Sequence, residues 1–241
     1  MQLIKFKIEG MINSMRMPET ASYQNTQLTP KKTHIAGLLT NIMGKTEKFY
    51  YDTLLPNLKV GIIPIHLENI YVDLWQYKKW KKSNIGGRAV VKREKLFNPQ
   101  YIVYVALDKD NEDLLQEIYI SLKNPRRAPS LGLDDELVII KNVDIMQDAE
   151  ILKNTKGITT EVYSTFPSEF VKEYEFKMIL KEDQFILPPR IIKTNLLFDM
   201  GPPRRPKKYL NIVEFFGGYC SVSFKDNYEI IEDKKLHVVM W

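Results

Sequence analysis

Over the first 146 residues the spacing of apolar side chains switches between two periods in a set order, and that order limits the folds open to the chain. Ile4, Phe6 and Ile8 alternate with Lys5 and Lys7, the period of a half-buried strand. Ile35, Leu38, Leu39 and Ile42 recur at helical spacing. Thr29 is placed to cap this helix, Pro30 suits its first position, and Gly44 stops it. Strand-like runs follow at 60–65, 70–77 and 88–97, then a fully apolar one at 101–107. Between two of them, Ser83-Asn84-Ile85-Gly86-Gly87 reads as a hairpin turn. Asp110 is placed to cap a second helix carrying Leu114, Leu115, Ile118, Tyr119 and Leu122 on one face, and Asn124-Pro125 ends it. A last strand is expected over about 136–145.

The order β-α-β-β-α-β is the split pattern of ferredoxin-like domains, which host many functions, among them single-stranded RNA binding across an open sheet. From Asp148 onward short strand-like runs dominate, at 158–166, 174–180, 209–216, 219–224 and 236–241. Residues 201–208 read as a loop, because Pro202, Pro203 and Pro206 oppose regular pairing. The expected fold is α+β: a ferredoxin-like domain over 1–147 with a protruding β-hairpin, then a smaller, mostly β domain over 148–241.

Size and composition exclude other classes. The longest apolar run, 101–107, falls far short of the roughly 20 residues a membrane span needs. Lys5 and Lys7 interrupt any N-terminal signal core, so a cytoplasmic location and no membrane partner are expected. Cys220 is the only cysteine, which rules out an intramolecular disulfide and a cysteine zinc cluster.

The net charge of +5 hides its distribution. From Tyr77 to Lys95 there are eight basic residues (Lys78, Lys79, Lys81, Lys82, Arg88, Lys92, Arg93, Lys95) against Glu94 alone. Such clustering points to a polyanion. Trp75, Tyr77 and Trp80 interleave with these lysines, and base stacking on an exposed ring contributes about 1–3 kcal/mol. The alternative is that Trp75 and Tyr77 pack the hairpin onto its own domain. A second group lies at the first helix, where Lys31 and Lys32 each cost about 0.3–1 kcal/mol against the helix dipole unless an anion offsets them. Ser14, Arg16, Lys31, Lys32, Thr33 and His34 are therefore candidates for a phosphate site, with lysines leaning into water as the alternative. Arg126 and Arg127 form a further pair, and Arg204, Arg205, Lys207 and Lys208 a basic group open to RNA or to an acidic partner surface.

Three separated blocks carry a family resemblance. They are Ser14-Met15-Arg16-Met17-Pro18 with Thr26 or Thr29 near Pro30, then Gly37-Leu38-Leu39-Thr40-Asn41-Ile42-Met43-Gly44, then Pro129-Ser130-Leu131-Gly132-Leu133-Asp134-Asp135-Glu136. Over most of residues 1–146 the chain resembles the CRISPR-associated Cas family five, RAMP-superfamily subunits of Cascade-type surveillance complexes. Met15 stands where that family has an aromatic, and Pro30-Lys31 where it has a doubled proline. The resemblance implies a non-catalytic crRNA-binding role in antiviral defence. Its members cap the 5′ handle of the guide and hold it against the backbone and large subunits of a type I complex. Contact with target DNA through the complex stays open. The resemblance also makes the hairpin from Trp75 to Arg93 a thumb between guide nucleotides, and places Arg126 and Arg127 where RAMP proteins approach the RNA backbone.

One branch of the family cuts precursor crRNA without a metal, which needs a general acid or base near the 2′-hydroxyl. Of the three histidines only His34 lies beside the candidate phosphate site; His66 and His237 read as structural. A metal-independent endoribonuclease is thus the alternative function. Neither reading calls for a cofactor or a metal.

Overall fold

A computed structural model of the chain describes residues 2–18, 20, 23–81, 84–108, 111–147, 150–152, 155–180, 185–198 and 206–241, with backbone alone over 79–81 and 84–86 and at 150. The alternating N-terminal segment forms β1 (Leu3–Gly10). It is followed by α1 (Lys32–Ile42), β2 (Leu58–His66), β3 (Asn69–Lys81), β4 (Asn84–Phe97), β5 (Gln100–Leu107), α2 (Glu112–Lys123) and β6 (Val138–Met146). One sheet runs β2-β5-β1-β6 with every neighbouring pair antiparallel. Ile4, Phe6 and Ile8 share a core with Ile35, Leu39 and Ile42 of α1 and Ile118 and Leu122 of α2. Each such side chain contributes about 1.5–3 kcal/mol on burial.

The helix ends show how local chemistry was met. Gly44, at φ +68, closes α1 with bonds from its own N–H to the Asn41 carbonyl (2.9 Å) and from the Lys45 N–H to the Thr40 carbonyl (3.1 Å). The start of α1 differs from expectation: Lys31, not Thr29, is the N-cap. His34 Nδ1 accepts from the Lys31 N–H at 3.1 Å, the role a glutamate plays in a capping box. The cap of α2 is Asn111, whose Oδ1 accepts from the Leu114 N–H at 3.1 Å; Asp110, expected there, lies outside the described residues.

The second half supplies β7 (Glu150–Leu152), β8 (Thr159–Val162), β9 (Phe166–Pro167), β10 (Val171–Met178), β11 (Leu187–Phe198), β12 (Pro206–Phe216), β13 (Gly218–Phe224), β14 (Ile230–Asp233) and β15 (Leu236–Val239). They build a six-stranded sheet, β10-β13-β8-β15-β14-β7, and a three-stranded one, β9-β12-β11. Strand β11 was not expected, and β12 begins at Pro206, within the stretch read as a loop; proline is tolerated at the first residue of a strand. Cores run across the change in sequence style near Gln147. Leu3, Ile63, Tyr104 and Ala106 cluster with Ile231, Val238 and Met240, while Ile192, Ile212 and Phe216 join the core beneath α1. Lys5, on the other face of β1, is paired with Asp233.

Candidate nucleic-acid interface

β3 and β4 leave the main sheet as an antiparallel ribbon whose base is paired with the short segments Ile12–Asn13 and Tyr23–Gln24. Lys78 pairs with Arg88, but the next pairs are Trp80 with Ile85 and Lys81 with Asn84. Gly86 and Gly87 therefore oppose Lys79 alone, and Gly87 takes φ +62. The glycines form a bulge inside the ribbon, correcting their assignment to the turn. Residues 82–83, Lys82 among them, lie outside the described residues, as do the side chains of Lys79, Trp80 and Lys81.

Strand alternation puts Trp75 and Tyr77 on one face of the ribbon with Val91 and Arg93. Both rings are open to solvent, 43% and 41% exposed, with centroids 6.0 Å apart. Arg93 is buried instead. Its Nε donates to Gln24 Oε1 at 2.9 Å, and its guanidinium carbon lies 4.3 Å from the Trp75 ring centroid. The expectation that Arg93 contacts RNA is thus corrected: Arg93 supports the ring through a cation–π contact. Lys78, Arg88 and Lys92 are exposed on the opposite face with Leu74 and Val90.

At α1 the anion that the lysines require is internal. Glu214 of β12 is fully buried and accepts from Lys31 Nζ (2.9 Å), Arg190 Nε (2.8 Å), Thr29 Oγ1 (3.0 Å) and the N–H groups of Leu28 and Thr29 (3.3 Å). Burial pushes the Glu214 carboxyl up, but Lys31 and Arg190 outweigh it and hold the group below the usual carboxylate range. Lys31 has no exposed surface, so it is corrected from a phosphate ligand to a structural cation. Ser14 is corrected likewise: it is buried, and its N–H and Oγ donate to the Glu136 carboxylate at 2.6 and 2.7 Å. Thr33 is buried, its carbonyl accepting from the Tyr50 hydroxyl at 3.3 Å. Lys32 is half-buried; burial lowers its ammonium pKa, Asp108 opposes, and Lys59 and Lys208 add to the lowering. Arg16 is exposed and donates to the Thr20 carbonyl at 2.8 Å.

The loop after α2 docks on the far end of α1. Arg126 is exposed but lies over Gly44, where a Cβ would come within 3.2 Å of its Cδ, and its N–H donates to the Ile42 carbonyl at 2.8 Å. A cation there suits the helix C-terminus. Arg127, also exposed, lines a cavity of about 370 Å³ together with His34, Asn41, Lys45, Tyr50 and Asp134. Burial, then Lys31, pushes the His34 pKa down to about 4, so the ring is neutral at pH 7. Because Nδ1 accepts from the Lys31 N–H, the ring proton is on Nε2. His237 sits in β15 with Nδ1 3.0 Å from the Glu161 carbonyl, and His66 ends β2.

A model of the family described as CRISPR-associated protein (Cas_Cas5) matches residues 3–182. The chain belongs to the CRISPR-associated Cas5 family. Comparison with curated proteins yields no match. Among solved structures, a CRISPR protein from Archaeoglobus fulgidus superposes on this Cas5 protein with a TM-score of 0.58 at 12% identity, over 99% of this chain and 98% of that one. A chain of a CRISPR RNA-guided surveillance complex superposes with a TM-score of 0.52 at 14% identity, over 90% and 91%. At these identities the likeness concerns the fold.

In this Cas5 protein the blocks that carried the resemblance meet in space. Asn13 Nδ2 donates to the Leu131 carbonyl at 2.8 Å beside the Ser14–Glu136 bonds, and the Met15 N–H donates to Thr26 Oγ1 at 2.8 Å. Sequence reasoning missed the three carboxylates that organise these loops: Glu94, Glu136 and Glu214. Glu94 accepts from the Thr26 N–H at 3.0 Å and from Asn25 Nδ2 at 2.9 Å. Glu136 closes one of the blocks that carried the resemblance, and Glu214 stands alone in Ile212-Val213-Glu214-Phe215-Phe216, where a carboxylate inside an apolar run is buried only when paired.

Proposed function

We propose that this Cas5 protein is a non-catalytic RNA-binding subunit of a type I CRISPR effector complex, capping the crRNA 5′ handle against the backbone and large subunits in the cytoplasm. The ribbon β3–β4 carries the reading: Trp75 and Tyr77 stand open to solvent, one of them on an Arg93 support, and Lys78, Arg88 and Lys92 are exposed on the ribbon's other face. Stacking rings combined with backbone neutralisation are how single-stranded nucleic acid is held. The fold likeness to a chain of a CRISPR RNA-guided surveillance complex supports the same reading. So does the sheet order β2-β5-β1-β6, which suits a ferredoxin-like RAMP domain with the ribbon as its thumb, followed by a mostly β domain over 148–241. Purification from the native host tests it. Wild type should bring down crRNA and repeated backbone subunits, and a Trp75→Ala, Lys78→Glu, Arg88→Glu variant should lose the RNA. Full recovery of crRNA by that variant would overturn the reading. A lone subunit covering about four phosphates should show a log–log salt slope near −2.8, so that fourfold more salt weakens binding roughly fifty-fold.

The cavity that brings His34, Tyr50 and Arg127 together favours a second reading, metal-independent cleavage of precursor crRNA. A general base needs an accessible ring nitrogen, whereas His34 Nδ1 is engaged by Lys31 and Nε2 carries the proton. Incubation with the cognate repeat RNA separates the two readings: discrete products lost in His34→Ala support cleavage, and intact RNA supports the binding role.

A further inference from the structure

A second ribbon of cations and an aromatic ring lies in the other half of the molecule. From Arg190 to Lys208 the sequence holds six basic residues (Arg190, Lys193, Arg204, Arg205, Lys207, Lys208) against one acid, Asp199. Arg190 is committed to Glu214, and Arg204 and Arg205 lie outside the described residues. β11 and β12 pair with Ile192 opposite Ile212, Lys193 opposite Asn211 and Asn195 opposite Tyr209. One face of this pair is buried through Ile192 and Thr194. The other carries Ile191, Lys193 and Tyr209, all exposed, with Lys193 Nζ 4.5 Å from the Tyr209 ring centroid. Lys207 and Lys208, next to the ring in sequence, are exposed too. Glu169, a carboxylate bordering this face, is engaged by the Asn211 N–H and Nδ2 at 3.3 Å. Lys208 also acts as a like charge on Lys32, in the first turn of α1.

We infer that the exposed face of β11–β12 is a second contact for single-stranded nucleic acid, with Tyr209 as a stacking ring and Lys193, Lys207 and Lys208 neutralising phosphates. The inference rests on the RNA-binding reading of this protein. An acidic protein surface would be satisfied by lysines alone, whereas a ring set among cations matches the stacking-plus-charge requirement of an unpaired strand.

Anisotropy titration of the purified chain against a labelled oligouridylate, repeated across a salt series, tests it. Lys207→Glu with Lys208→Glu should make the log–log salt slope shallower by about 1.4, two contacts at roughly 0.7 each. Tyr209→Ala should bind at least about fivefold more weakly, and Tyr209→Phe should bind as wild type. All these side chains are exposed, and an unchanged thermal melt verifies folding. Combining the lysine pair with Lys78→Glu and Arg88→Glu should multiply the two losses, because the two sites lie on different strand pairs. Wild-type slope and affinity in the β11–β12 variants, with binding lost in the β3–β4 variant, would overturn this second contact and leave the first reading standing. No change in either set would overturn both. Normal RNA binding with loss of co-purifying proteins would assign the face to a protein partner and also overturn the inference.

Discussion

The start of α1 and the ribbon β3–β4 are both rich in cations and use them in opposite ways. At α1, Lys31 is buried against Glu214, with Arg190 as the second cation on the same carboxylate. On the ribbon, Lys78, Arg88 and Lys92 stay in water, while Arg93 turns inward beneath Trp75. A buried charge is tolerated only with a close partner that offsets its lost hydration. An exposed one keeps its hydration until a phosphate displaces the counterions around it. What a lysine does here is decided by what the fold brings to it.

The contrast can be broken most directly at Glu214. Glu214→Ala should destabilise the protein by about 3–5 kcal/mol, because the buried Lys31 loses its partner and the half-exposed Arg190 loses its anchor. At about 2–4 °C per kcal/mol for a chain of this size, the melting temperature should fall by roughly 10 °C, while the folded fraction keeps its RNA affinity. An unchanged melt would remove the buried half of the comparison. Trp75→Ala should do the reverse, weakening RNA binding by about 1–3 kcal/mol in a titration with little change in the melt.

Acid sharpens the same contrast. The folded-state pKa of His34, about 4, lies below its ordinary 6.5, so the unfolded chain takes up the proton first and stability falls as pH drops from 6.5 toward 4. Glu214, held below its ordinary 4.5, contributes stability above that pH and loses it as the medium becomes more acidic. A series of melts against pH should show both phases, with His34→Gln removing the upper one and Lys78→Glu altering neither. The smallest effect is expected from Lys78→Ala: a salt slope shallower by about 0.7 and an unchanged melting temperature.

What was legible in the sequence was local. The alternation of β1, the glycine stop of α1 and the apolar stripe of α2 are written within a few residues of where they act. The start of α1 was not legible, because its cap comes from His34 and its anion from β12. Glycines serve a turn or a bulge equally well, so the sequence did not separate the two at Gly86-Gly87. In the candidate site, the interleaving of rings with cations on the ribbon was readable. Lys31, Ser14 and Arg93 were misread because Glu214, Glu136 and Gln24, which occupy them, lie 183, 122 and 69 positions away.

That 183-residue reach has a consequence in time. Contacts between distant parts of a chain carry a loop-closure penalty and form after local ones. During synthesis α1 emerges long before β12, so Lys31 remains hydrated and the helix is steadied by its apolar stripe alone. Seating of the carboxylate between its two cations is then a late latch, closed once β12 has been made. Substitutions at the latch should therefore quicken unfolding and leave the refolding rate close to wild type.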